Sequence, residues 1–174
     1  MRLFFALWPD AALRERIADV AAALRLAATA RRVSRQNYHV TLVFIGEVAS
    51  SELAALRQLA TRQRIAASEI RFDAYEYWEG AQAVVAVAQR TPDALSELAN
   101  GLGRSNHVEP ALRLHVTLAR KVAQAPVLQA MSPIDWNASS FSLMRSDTSH
   151  AHSVYTVVDT WPLLDKRQKS SHSL

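Results

Sequence analysis

The sequence predicts an α+β fold, with helices packed on antiparallel or mixed sheets. Two observations carry this. Three stretches repeat apolar residues at helical spacing, while the other ordered stretches are short, β-branched or aromatic, and bounded by Gly, Pro or Ser. Their order, β-α-β-α-β-β-α-β-β-β, lacks the strict alternation of a parallel sheet and contains consecutive strands that suit hairpins. A length of 174 residues fits one compact domain or two small lobes on a shared core, and is too short for a TIM barrel.

Arg2 to Trp8 is rich in Leu and aromatics and stops at Pro9, which reads as a buried strand. Asp10 can cap the helix that follows, with Leu13, Ile17, Val20 and Leu24 on one face and Arg14, Glu15 and Arg16 on the other. Val33 to Asn37 is a polar loop, and Tyr38 to Ile45 is a strand closed by Gly46. Ser50 or Ser51 caps a second helix carrying Leu53, Leu56, Leu59 and Ile65 near one stripe. Ile70 to Trp78 and Ala83 to Ala88 form a hairpin around Glu79 to Gln82. Thr91-Pro92-Asp93 supplies a cap and a proline for a third helix, with Leu95, Leu98 and Leu102 inward and Gly103 at its end. Beyond a loop holding His107 and Pro110, Leu112 to Leu118 alternates as a strand. Ala123 to Pro133 is irregular, Ser140 to Arg145 and Val154 to Val158 are strands around a polar turn, and Asp165 onward is polar and frayed.

Composition excludes several chemistries. The chain has no cysteine, which removes disulfides, thiol catalysis, Fe–S clusters and Cys-based zinc sites. The net charge is +4, and all the basic residues except Lys121, Lys166 and Lys169 are arginines, the better bidentate partners of phosphate. This favours anionic partners weakly, since a compositional bias toward Arg and Ala accounts for it equally well. The apolar start, Leu3 to Trp8, is too short for a secretory signal or a membrane span, so a cytoplasmic location without membrane contact is expected.

One tetrapeptide occurs twice, as His39-Val40-Thr41-Leu42 and His115-Val116-Thr117-Leu118. Both copies fall in strands, where residues i and i+2 share a face, so each presents an imidazole beside a hydroxyl while Val and Leu face the core. A lone His and Thr in a strand is usually packing; two matched copies make a duplicated half-site the stronger reading. Histidine titrates near neutrality, so one ring can accept a proton while the other donates one. Phosphodiester cleavage needs both, and the threonine hydroxyls can donate to the non-bridging phosphate oxygens. A metal centre is the weaker alternative: two histidines form an incomplete ligand set unless His107 or His150 completes a zinc site.

At these residues the chain resembles the two-histidine phosphoesterases, and within them the RNA 2′,3′-cyclic phosphodiesterases once described as 2′-5′ RNA ligases. The opening Arg2 to Leu7, the segment Asn37 to Val48 and the segment Leu114 to Arg120 are similar to the family's first strand and its two motif regions. The resemblance implies a bilobal fold, two antiparallel sheets with outer helices and a central cleft, spanning residues 1–165 as one domain with 166–174 as a tail. It implies that His39 is the proton donor, His115 the base, Thr41 and Thr117 the phosphate ligands, and Arg120 a further phosphate support. It implies no metal or other cofactor. It implies as partner an RNA or nucleotide with a 2′,3′-cyclic phosphate end, and a monomer is expected.

The expected activity is metal-independent hydrolysis to a 2′-phosphomonoester. Two alternatives stand beside it: 2′-5′ ligation by the reverse reaction, and a non-catalytic module that binds RNA ends or nucleotides. Relatives often carry arginines in the C-terminal hairpin where this chain has His150 and His152, which read either as an exposed polar turn or as a pH-dependent substitute. Few phosphate contacts beyond the scissile one, and therefore efficient hydrolysis of short substrates, are expected. Phe5 and Phe44 are the candidates for stacking on the base.

Overall fold

The structure, a computed structural model, describes residues 1–103, 112–147 and 154–165. Two four-stranded sheets and a two-stranded one carry three helices. The first sheet has the order β10-β9-β1-β3, from β1 (Arg2–Leu7), β3 (Val40–Glu47), β9 (Ser140–Asp147) and β10 (Val154–Pro162). The second has the order β2-β7-β6-β5, from β2 (Arg31–Arg32), β5 (Ala74–Trp78), β6 (Ala83–Val87) and β7 (His115–Arg120). β4 (Ser68–Phe72) pairs with β8 (Ile134–Ala138), and every named strand pair is antiparallel.

The helices are α1 (Ala11–Ala22), α2 (Leu53–Thr61) and α3 (Asp93–Leu102). Asp10 caps α1 as its sequence requires: its Oδ1 accepts the Leu13 N–H at 2.8 Å, and Leu13, Ile17 and Val20 are buried. The expected serine cap of α2 is not formed. Ser50–Glu52 makes a 3₁₀ turn instead, and the Glu52 carboxylate reaches back to the Ala49 N–H at 3.0 Å. Thr91 does not cap α3 either; its hydroxyl donates to the Leu112 carbonyl at 2.9 Å, tying the helix entry to the approach of β7.

Four strand expectations need correction. The run from Ile70 to Trp78 is two strands broken at Asp73, one joining β8 and the other β6. Alternation is continuous enough across the break that only the partners reveal the change of sheet. β8 was not expected, because Pro133, Asp135 and Asn137 are poor strand formers; Ile134, Trp136 and Ala138 nevertheless face the core. β2 lies just before the expected loop, and β10 runs on to Pro162.

One large core lies between sheets and helices, and includes Leu3, Phe5, Leu7, Ile17, Leu95, Leu98 and Leu118. α3 packs on β3, α1 on β7, and α2 on β10. The opposite sheet faces hold two smaller apolar clusters: Phe4, Ala6 and Met144 with Trp8 and Tyr155, and Ala83, Val85 and Val87 with Ala74 and Trp78. Each repeated motif stands on one of these clusters. Among the described residues no helix is long and apolar enough to cross a membrane.

Candidate active site

β3 is the edge of the first sheet, and β7 is covered only at its far end, where the two residues of β2 pair with Ala119 and Arg120. The uncovered stretch of β7 carries His115 and Thr117, and β7 touches β3. His115 opens β7, whereas His39 stands one residue before β3. Val40, Leu42, Val116 and Leu118 are buried, as the alternation requires.

The repeat goes deeper than four residues. On β3, Thr41 pairs with Ala6 and Val43 with Phe5, which leaves Leu42 as an extra residue. On β7, Thr117 pairs with Val85 and Ala119 with Val84, which leaves Leu118 as an extra residue. A bulge therefore follows the threonine in both strands, sending two successive side chains into the core and returning the third to the histidine face. That third residue is Phe44 in one strand and Arg120 in the other. The bulge is why Arg120, at an odd offset from His115, shares its face.

Backbone carbonyls hold both imidazoles in the same way. Nδ1 of His39 lies 2.7 Å from the Asn37 carbonyl, and Nδ1 of His115 lies 2.9 Å from the Arg113 carbonyl. A carbonyl only accepts, so each Nδ1 carries the hydrogen and each neutral ring keeps its lone pair on Nε2. The surroundings differ. His39 is enclosed by Phe4, Trp8 and Tyr155, at ring-centroid distances of 5.2, 6.0 and 5.0 Å. Burial pushes its pKa down to about 4; the Asn37 carbonyl opposes this, and the nearby charges of Arg120 and His115 add to it.

His115 packs on Trp78, with centroids 4.4 Å apart. Its pKa is also lowered, first by burial, with the Arg113 carbonyl opposing, Arg120 and Arg113 adding, and Glu76 opposing. Both rings are therefore neutral at pH 7.

A cavity of about 710 Å³ opens beside His39 and Thr117, with Arg31, Arg120, Lys121 and Tyr155 among its lining residues. Thr41 is half-buried on the same sheet face as His39. Phe5 cannot stack on a base, because it is fully buried against Phe141 and Trp161. Phe44 is 55% exposed and on the histidine face, but it lies outside the cavity lining and the Arg2 guanidinium sits 4.9 Å from its ring centre. Phe4, Trp8, Tyr155 and Trp78 border the imidazoles instead. Sequence reasoning missed them because strand pairing, not spacing along the chain, brings them there.

Arg35 and Arg113 are ion-paired with Glu15 and Glu76. His107, His150 and His152 lie outside the described residues. Among the described residues no three His, Asp or Glu side chains gather as a metal-binding group.

The sequence pattern of the 2′-5′ RNA ligase superfamily matches residues 9–150. The chain belongs to this superfamily. Within it, the RNA 2′,3′-cyclic phosphodiesterase of Thermus thermophilus is 30% identical, covering 94% of this chain and 90% of the relative. The Escherichia coli K12 protein of the same description is 29% identical, covering 93% and 96%. The solved structure of E. coli LigT complexed with 3′-AMP superposes with a TM-score of 0.83 at 29% identity, over 93% of this chain and 97% of that one. These superfamily members share the α+β architecture of antiparallel sheets expected from the sequence.

Proposed function

We propose that this protein opens the 2′,3′-cyclic phosphate ends of RNA by hydrolysis, leaving a 2′-phosphomonoester. The observation that carries the reading is the matched pair of imidazoles, each with Nδ1 held by a carbonyl two residues upstream and Nε2 making no hydrogen bond among the described residues. The relatives described as RNA 2′,3′-cyclic phosphodiesterases, and the 3′-AMP bound by LigT, support the substrate class.

In the proposed reaction, water attacks phosphorus while the P–O3′ bond breaks. Nε2 of His115 takes the water proton, and Nε2 of His39 gives its proton to O3′, so the charge on the pair is unchanged apart from which ring carries the proton. Thr41, Thr117 and Arg120 hold the non-bridging oxygens as charge develops there. His39 by itself is neutral at pH 7, so its proton enters with the anionic phosphate, whose charge raises the proton affinity of both rings. Residues 1–165 act as one catalytic domain in this reading.

Ligation would use the same site with a 5′-hydroxyl in place of water as the nucleophile on phosphorus, and water at about 55 M favours hydrolysis. The deciding experiment incubates the protein with a nucleoside 2′,3′-cyclic phosphate in EDTA and identifies the product by phosphorus NMR. Appearance of the 2′-phosphomonoester is expected; an unchanged substrate, or turnover only after zinc or manganese is added, overturns the proposal.

A further inference from the structure

Arg31 and Arg120 stand directly opposite each other across the β2–β7 pair. Like charges at opposed positions of an antiparallel pair repel. Among the described residues neither guanidinium forms an ion pair with a carboxylate. The neighbouring Arg32 is accounted for: its guanidinium donates to the Ala21 and Leu24 carbonyls at 3.1 and 2.6 Å, closing the end of α1. Strand alternation then puts the Arg31 side chain on the other face of β2. Lys121 follows Arg120 with φ at +56°, a left-handed conformation that a lysine adopts only at a cost.

Arg31, Arg120 and Lys121 all line the cavity that holds His39 and Thr117, as does Arg32 with its guanidinium committed to the end of α1, and among the described residues no Asp or Glu lines it. Its volume of about 710 Å³ lies in the range of roughly 300–1,000 Å³ that takes a whole ligand, more than one phosphate group fills. Arg120 is near enough to both imidazoles to disfavour their charged forms, so it belongs with the scissile phosphate. Arg31 stands one strand further out, the two backbones about 5 Å apart across the pair.

Building on the proposed function, we infer that Arg31 and Lys121 form a second anion subsite, continuing outward from Arg120, that takes the phosphodiester preceding the terminal nucleotide of the RNA. The protein then reads two phosphates of an RNA end, which revises the expectation that a mononucleotide suffices. A substrate with two negative charges turns the repulsion between Arg31 and Arg120 into shared attraction.

The test compares cytidine 2′,3′-cyclic phosphate with the dinucleotide that ends in the same cyclic phosphate, at low and high salt. The wild-type protein should prefer the dinucleotide in kcat/KM on the order of 10-fold at low salt, with the preference shrinking as salt rises. R31A and K121A should each bring the ratio of the two kcat/KM values toward one, and R31K should retain most of it. A wild-type ratio near one, or a ratio untouched by R31A and K121A, overturns the subsite. Hydrolysis of neither substrate overturns the proposed function instead. In that case the subsite is still decided by titrating binding of the dinucleotide 2′-phosphate against the mononucleotide 2′-phosphate in wild type and R31A: a binding advantage lost in R31A supports it, and no advantage overturns it.

Discussion

Trp78 packs on the ring of His115 at 4.4 Å and donates its indole N–H to Glu76 at 2.9 Å. Glu76 also pairs with Arg113, whose carbonyl holds Nδ1 of His115, so the contacts close into a ring around that imidazole. Among the described residues His39 has no such carboxylate, and it is enclosed by neutral aromatics. The two half-sites share a backbone design and differ in electrostatics.

Removing that carboxylate tests the difference. Glu76 favours the charged form of His115, so Glu76→Gln should move its pKa further down and leave His39 nearly unchanged. NMR titration of the imidazole carbon-bound protons reads both rings at once. An unmoved His115 would show that Glu76 acts only through packing.

Removal of either imidazole should cost about 10²–10⁴-fold in turnover with folding intact, as judged by circular dichroism. The two variants separate on a substrate with sulfur at the 3′ bridging position, because a thiolate leaves without a proton. His39→Ala should recover much of its loss on that substrate, and His115→Ala should not. Recovery in the opposite variant would exchange the assigned roles.

The pH profile follows from the two lowered values. One ring must hold a proton and the other must not, so kcat/KM should be bell-shaped, its limbs belonging to the pair as a whole. With His39 near 4 and His115 also lowered, the optimum of kcat/KM should fall on the acid side of 6.5. That of kcat should lie higher, since the bound phosphate anion raises both. A flat profile between pH 5 and 9 would contradict paired acid–base chemistry.

The same histidine affects stability. His39 is depressed in the folded protein relative to an unfolded value near 6.5, so the unfolded chain binds more protons between those values. Its contribution is fully present above pH 6.5 and is lost as pH falls toward 4. Chemical denaturation across that window should show falling stability in the wild type and a shallower fall in His39→Asn; equal slopes would rule this linkage out.

The α1 cap gives a prediction independent of catalysis. Asp10→Ala removes the acceptor for the Leu13 N–H and should lower stability by about 1 kcal/mol. Equilibrium denaturation checks it, and a loss below a few tenths would mean that solvent replaces the cap.

By itself the sequence determined the helices and the histidine motifs, because both are local. Helical spacing of Leu13, Ile17 and Val20 after Asp10, or of Leu95, Leu98 and Leu102 after Pro92, needs only neighbouring residues to be read. His39 with Thr41, and His115 with Thr117, share a face by the two-residue period of any strand. What the tertiary structure decided depends on which strands are partners. The bulges at Leu42 and Leu118 exist because β1 and β6 impose their register, and they alone return Phe44 and Arg120 to the histidine face. The break at Asp73 divides one apparent strand between two sheets, and so brings Glu76 and Trp78 to His115 while Ile70 and Phe72 enter the core. Arg31 meets Arg120 only because a two-residue strand pairs across a gap of about ninety positions. Side-chain period is a property of one strand, whereas register, bulges and opposed charges belong to pairs of strands, and the hydrogen bonds that set them form only when the chain is folded.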